Sequence, residues 1–291
     1  MKRFSLRIQQ RYILLYASLL FGSVAYSQPA VDGFMKGKGN GSIVLSYSWE
    51  QYDEFYAGTN KVVANETPVR AWGGEITTQS ISLFGIVGLT DNIDLILNIP
   101  HVSAQGAGVD TIDQDVGGLQ DASLFIKWRP VAVETGGGTL SFLGALGFAT
   151  PLSDYEADQV LSIGNQATRA DLRLLTHFQS NGGLFGELQA GYSLRSNDVP
   201  NATLLSAKIG YAAEKFYIDV WSDTQISDSD APDIGPGIPF SQTRVNYTQI
   251  GVSVFVPVVS SFGVSAGFGQ YVSGRNVGLS TRFSGGLVYS F

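Results

Sequence analysis

From Asn40 to the carboxy terminus, apolar and polar residues take alternate positions in about twelve segments, each close to the ~9–11 residues of a strand that crosses an outer membrane on a tilt. The first, near 41–50, sets Ile43, Leu45, Tyr47 and Trp49 on one face against Ser42, Ser46, Ser48 and Glu50 on the other. The next two oppose Ile81, Leu83 and Val87 to Thr78, Ser80 and Ser82, then Ile93, Leu95, Leu97 and Ile99 to Asp94, Ile96 and Asn98. In the fourth, Ala122, Leu124, Ile126 and Trp128 alternate with Asp121, Ser123, Phe125, Lys127 and Arg129. The pattern persists to the last segment, where Leu279, Phe283, Leu287, Tyr289 and Phe291 oppose Ser280, Arg282, Ser284 and Ser290. A period of two is the geometry of a strand, so the chain reads as all-β.

Alternation fits a soluble sandwich as well as a membrane barrel, and the connections separate the two. Those around 51–75, 103–118, 151–168 and 227–242 are long and polar, and the brief ones near 197–201 and 273–276 fall in the same register. Those around 89–92, 131–138, 181–183, 212–215 and 257–261 are short. Long loops at one end and tight turns at the other predict a transmembrane antiparallel β-barrel over 41–291, with both termini periplasmic. Closure also removes the edge strands that a glycine-rich sheet would expose. Aromatic residues form two girdles: Trp128, Phe178, Tyr211, Phe262, Tyr289 and Phe291 toward the short turns, and Tyr47, Trp49, Phe148, Tyr192 and Phe268 toward the long loops. The final strand, closing on Phe291, looks like the signal read by the outer-membrane assembly machinery.

The amino terminus sharpens the compartment. Lys2, Arg3, Arg7 and Arg11 precede an apolar stretch from Tyr12 to Val24, and Ala25 and Ser27 stand where a signal peptidase cuts, so residues 1–27 are expected to be a cleaved signal peptide. Residues 28–40, with Gly33, Gly37 and Gly39, are expected to be a flexible periplasmic segment, with reach enough to enter the lumen as a plug. Loss of four basic residues and no acidic ones leaves 14 Lys and Arg against 25 Asp and Glu, which moves the net charge from −7 to −11. Such a chain is a poor partner for nucleic acid. Charged residues are only 15% of the chain, against roughly 25% in soluble domains, and 35 glycines are well above the usual share. No cysteine is present, which excludes disulfides and thiolate metal sites.

Two stretches carry a family resemblance. Gly88-Leu89-Thr90-Asp91-Asn92-Ile93-Asp94-Leu95-Ile96-Leu97-Asn98-Ile99-Pro100 and Gly117-Gly118-Leu119-Gln120-Asp121-Ala122-Ser123-Leu124-Phe125-Ile126-Lys127-Trp128-Arg129 together resemble the outer-membrane family labelled "meta-pathway of phenol degradation". Gln120 stands where that family usually has glycine, and Pro151-Leu152-Ser153 where Pro-Thr-Gly is common. The resemblance implies a barrel that passes small, often hydrophobic or aromatic, compounds.

Candidate chemistry lies on the inward face. Lys127, Arg129, Arg169, Asp171, Arg173, Glu187, Arg195, Lys208, Asp219 and Asp223 concentrate on neighbouring strands, facing a wall of mostly Ser, Gly and Thr. A mixed-sign wall opposite a small-residue wall makes either a polar eyelet that selects solutes or a salt-bridge network that fills the barrel. The long-loop side is acidic, as expected of loops that bridge to lipopolysaccharide and outer-membrane lipid through divalent cations; Asp110, Asp113 and Asp115, or Asp228, Asp230 and Asp233, are calcium candidates that match no full loop pattern. Gly263-Val264-Ser265-Ala266-Gly267 imitates a hydrolase nucleophile elbow but lies inside an alternating strand, and only His101 and His177 are present. The sequence therefore predicts an outer-membrane channel or transporter for small molecules, with no catalytic residues, metal or cofactor. Its alternatives are a non-conducting structural or interaction barrel and a surface hydrolase using His101.

Overall fold

The computed structural model describes residues 31–63, 75–107, 115–159, 161–235 and 237–291. The expected signal peptide, and Asp110 and Asp113, lie outside the described residues. Fifteen β-segments are present among them: β1 (Gly41–Tyr52), β2 (Glu54–Ala57), β3 (Asn60–Val63), β4 (Glu75–Thr90), β5 (Ile93–Ala107), β6 (Asp115–Leu119), β7 (Asp121–Thr135), β8 (Gly138–Pro151), β9 (Arg169–Ser180), β10 (Leu184–Arg195), β11 (Ala202–Ala212), β12 (Tyr217–Ser227), β13 (Asn246–Val259), β14 (Phe262–Arg275) and β15 (Thr281–Ser290).

β6 and β7 are two stretches of one barrel strand interrupted at Gln120, since β6 pairs with His101–Gln105 of β5 and β7 with Ile93–Asn98 of the same strand. Counted so, twelve antiparallel strands pair in chain order, and β15 closes on β1 from Ser42↔Ser290 to Gln51↔Thr281. A closed ring leaves no backbone donor or acceptor facing hydrocarbon, which is the condition for strands to span a bilayer. The remaining hairpin, β2–β3, stands at the long-loop end and is tied by Tyr56 N–H to Val277 O.

The two faces sort as the alternation predicts. Leu146, Leu188 and Ile209 are each 66% exposed on the outer wall, whereas Lys127 at 0% and Trp221 at 1% point inward. Outward aromatic pairs mark both belts: Phe262–Tyr289 at 5.0 Å near the short turns, and Phe268–Phe283 at 5.4 Å toward the long loops. One expected turn is displaced. Around 131–138 the strands run on to a turn at Gly136 and Gly137, because a bulge between Trp128 and Val131 carries β7 and β8 beyond the wall as an exposed ribbon.

The lumen is not uniformly polar. On the short-turn half, many inward residues are apolar: Val44, Phe84, Ile86, Ile96, Phe125, Leu175, Phe185, Phe255 and Val288 form one buried cluster with Val31 and Phe34. Of the 28–40 segment, residues 31–36 therefore lie inside the barrel, where Val31, Asp32, Phe34 and Lys36 are all buried. At the long-loop mouth, Tyr155, Leu161 and Ile163 of the 152–168 connection pack on inward Ile76, Val102 and Ala104, so this loop folds into the barrel.

Candidate functional site

The lumen is built in three tiers. In the lowest, residues 31–36 are held by a set of inward side chains on six strands. Phe34 meets His177 edge-on at 4.5 Å and Phe185 at 5.0 Å, while Phe185 stacks on Tyr217 at 5.3 Å. The Lys127 ammonium, fully buried, lies 3.3 Å from Asp32 and 3.1 Å from Asp94, and it also donates to the Phe34 carbonyl. The Gly33 amide donates to Glu187 Oε2 at 2.7 Å, and that same oxygen lies 3.3 Å from His177 Nδ1. Gly33 itself is required by close approach: a Cβ there would stand 2.3 Å from His177 Cγ. Below it, Lys36 N–H donates to Asp94 and Lys36 Nζ to Ser42 Oγ at 3.0 Å. Lys208 and Asp219 form a neighbouring buried pair at 3.6 Å, with the Tyr217 hydroxyl donating to the same carboxylate. Buried charge of this kind persists only when paired and hydrogen-bonded.

The middle tier is the mixed-sign wall. Asp171 lies between two guanidinium groups, 3.5 Å from Arg173 and 3.7 Å from Arg169. Arg173 also donates to Gln189 at 3.3 Å, and its guanidinium stands 5.7 Å from the centre of the Phe125 ring. Asp223 comes from β12, one strand beyond Ser206 of β11. On the same strand as Asp223, Trp221 donates to Ser253 of β13 at 3.2 Å.

The upper tier is a cavity of about 430 Å³ lined by Asp121, Arg169, Arg195, Gln225, Tyr247 and Tyr271 together with loop residues of 164–167 and 240–245. Tyr155, in the inward loop, donates to Asp121; burial, then this bond, push its phenol well above the ordinary range, so it stays a donor. Gln120 pins the same loop, its amide donating to the Ile163 carbonyl. The residue that departs from the family pattern thus has a definite task. Asp158 of this loop accepts from Ser241 of the 228–245 connection.

Nine of the ten residues singled out in the sequence face the lumen. Arg129 does not join them: it lies on the short-turn rim, donating to Asn92 Oδ1 at 3.1 Å and Asp91 O at 3.2 Å, because the strand leaves the wall at the adjoining bulge. The expected small-residue wall holds for Ser42, Ser46, Ser82, Ser253 and Ser265, and Glu50, on the polar face of β1, adds a charge to it, facing inward and pairing with Arg282. Alternation within β1 and β15 carried that signal. Asp94 and His177 were missed as site residues because their partner is the 31–36 segment, which has no period, and Asp32 was missed because it belongs to that segment.

Other candidates disperse. His101 is exposed on the outer face, and Ser265 lies mid-strand in β14, donating to Gly286 O at 3.3 Å. Asp228 accepts from Tyr192, whereas Asp233 is engaged by Arg275 at 2.6 Å and Asn276 at 2.9 Å, so the two point to different partners. Among the described residues no three His, Cys, Asp or Glu side chains converge to hold a metal ion.

Comparison with solved structures places this architecture among outer-membrane barrels. The COG4313 outer membrane channel from Pseudomonas putida F1 superposes with a TM-score of 0.68 at 15% identity, over 92% of this chain and 100% of that one. The NanC porin superposes with a TM-score of 0.51 at 6% identity, over 86% of this chain and 100% of that one. At such identities the likeness is one of fold. No curated protein matches the sequence. The family profile described as "Putative MetA-pathway of phenol degradation" matches residues 38–285, and the chain belongs to that family.

Proposed function

We propose that the protein is an outer-membrane channel for passive uptake of small organic molecules, plugged on its short-turn side by residues 31–36 and selective through its charged middle wall. The observation that carries this reading is the division of the lumen: a solute-sized cavity at the mouth, a polar wall beneath it, then a short segment of the chain's own amino-terminal region seated on an apolar floor. That segment makes no sheet pairing within the barrel, so its displacement breaks no strand ladder. The long loops face outward to lipopolysaccharide, the short turns face the periplasm, and the Phe291 strand is the handle for the assembly machinery. Proteoliposomes carrying the protein should admit small neutral and anionic solutes, and Arg173→Ala or Asp219→Ala should change the relative rates. Sealed vesicles, indifferent to both substitutions, would overturn the proposal. They would favour the second reading, a structural barrel, which the apolar filling of the short-turn half supports.

A further inference from the structure

We infer that the upper cavity is a binding subsite for a small organic carboxylate carrying an apolar body, with Arg169 and Arg195 as its anion anchor. The inference rests on the channel reading only for its biological use; the subsite itself stands on geometry. Arg169 of β9 and Arg195 of β10 are direct cross-strand partners, and both line the cavity. Like charges facing each other across two strands repel, their Cβ atoms standing only ~4.5–5.5 Å apart, unless a counter-charge lies between them. Arg169 shares Asp171 with Arg173. Arg195 has no carboxylate within ion-pair distance among the described residues: it donates to Gln225 Oε1 at 2.8 Å, Pro200 O at 3.3 Å and Ser193 Oγ at 3.4 Å, all neutral acceptors. Asp121, the carboxylate that lines the cavity, enters from β7, two strands from Arg169, and already accepts from Tyr155. The site therefore presents a cation whose acceptors are all uncharged beside a second cation whose carboxylate is shared.

The rest of the lining describes the body of the ligand. Tyr247 and Tyr271 meet edge-to-face at 5.2 Å and 70°, and with Val199, Val245 and Val277 they give an otherwise polar space an apolar portion. A volume of about 430 Å³ lies within the ~300–1,000 Å³ of small-molecule sites. Guanidinium forks match a carboxylate in charge and geometry, whereas an inorganic anion would leave the aromatic and aliphatic wall unused.

Calorimetric titration of the detergent-folded protein with sodium benzoate, with benzyl alcohol as its neutral counterpart and acetate as the headgroup alone, tests this. Benzoate should bind at least tenfold more tightly than either. Arg195→Gln should weaken benzoate at least tenfold, Arg195→Lys should recover part of the loss, and Lys61→Gln, on the β2–β3 hairpin, should change nothing. Equal affinity for benzoate and benzyl alcohol overturns the inference on the unmodified protein alone, whatever the folding of the variants. Benzoate binding untouched by Arg195→Gln in a variant with the parental β-sheet spectrum overturns it too. Binding without solute passage in vesicles would refute the channel and keep the subsite; passage without binding would do the reverse.

Discussion

At the scale of single residues, Lys127 shows how much of the lumen depends on charge pairing. Its ammonium is fully buried between Asp32 and Asp94, one carboxylate on the amino-terminal segment and one on the wall. Replacing it by Met preserves length and removes one of the two buried cations that face these carboxylates, leaving Lys36 as the other. Breaking a buried ion pair from one side costs about 3–5 kcal/mol. Lys127→Met should lower the stability of the barrel in lipid vesicles by that order in urea unfolding, and adding Asp94→Asn should restore part of it. A loss under about 1 kcal/mol would mean that the pairing is solvated, in the range of surface ion pairs.

At the scale of elements, two of the long loops, 152–168 and 228–245, are pinned rather than free. The 228–245 connection is fastened to the end of β14 where Asp233 accepts from Arg275 and Asn276, and these hydrogen bonds, the one from Arg275 first, hold the Asp233 carboxyl below its usual range. A depressed carboxyl contributes anchoring above its unfolded pKa, near ~3.9, and loses it as pH falls through the lower folded value. Protection factors of this loop's amides, taken relative to the intrinsic exchange rate at each pH, should therefore be higher at pH 7 than near pH 3, and Asp233→Asn should abolish the difference. Equal protection at both pH values in the parent protein would refute the clasp. The strands themselves were legible in the sequence because period two has a direct geometric cause, and the parity of loop lengths set the ends. The β7–β8 ribbon was not, since a bulge near Pro130 shifts the register without disturbing the count of apolar residues. The packing of Tyr155, Leu161 and Ile163 into the mouth was equally hidden: a loop has no period, and its apolar residues declare no partner.

At the scale of the whole molecule, alternation specifies two surfaces but not what fills the inner one. The outer belt followed from the sequence, and so did the charged wall of Asp171, Arg173 and Asp223. The apolar floor was present as inward Phe84, Ile86, Ile96 and Phe125, yet its meaning emerges only with Phe34 seated upon it. Glycine at 33 likewise becomes intelligible only beside His177. The central claim is that residues 31–36 are a displaceable plug in a channel. Removing a buried ring costs about 3–5 kcal/mol of contact, and every ~1.4 kcal/mol is tenfold in population, so Phe34→Ala should raise the displaced population by roughly a hundredfold or more. Single-channel recording in planar bilayers measures this directly: the parent protein should show rare, brief openings, and Phe34→Ala should stay open for most of the record with the same selectivity. Identical silence from both proteins, each inserted and folded, would contradict the account.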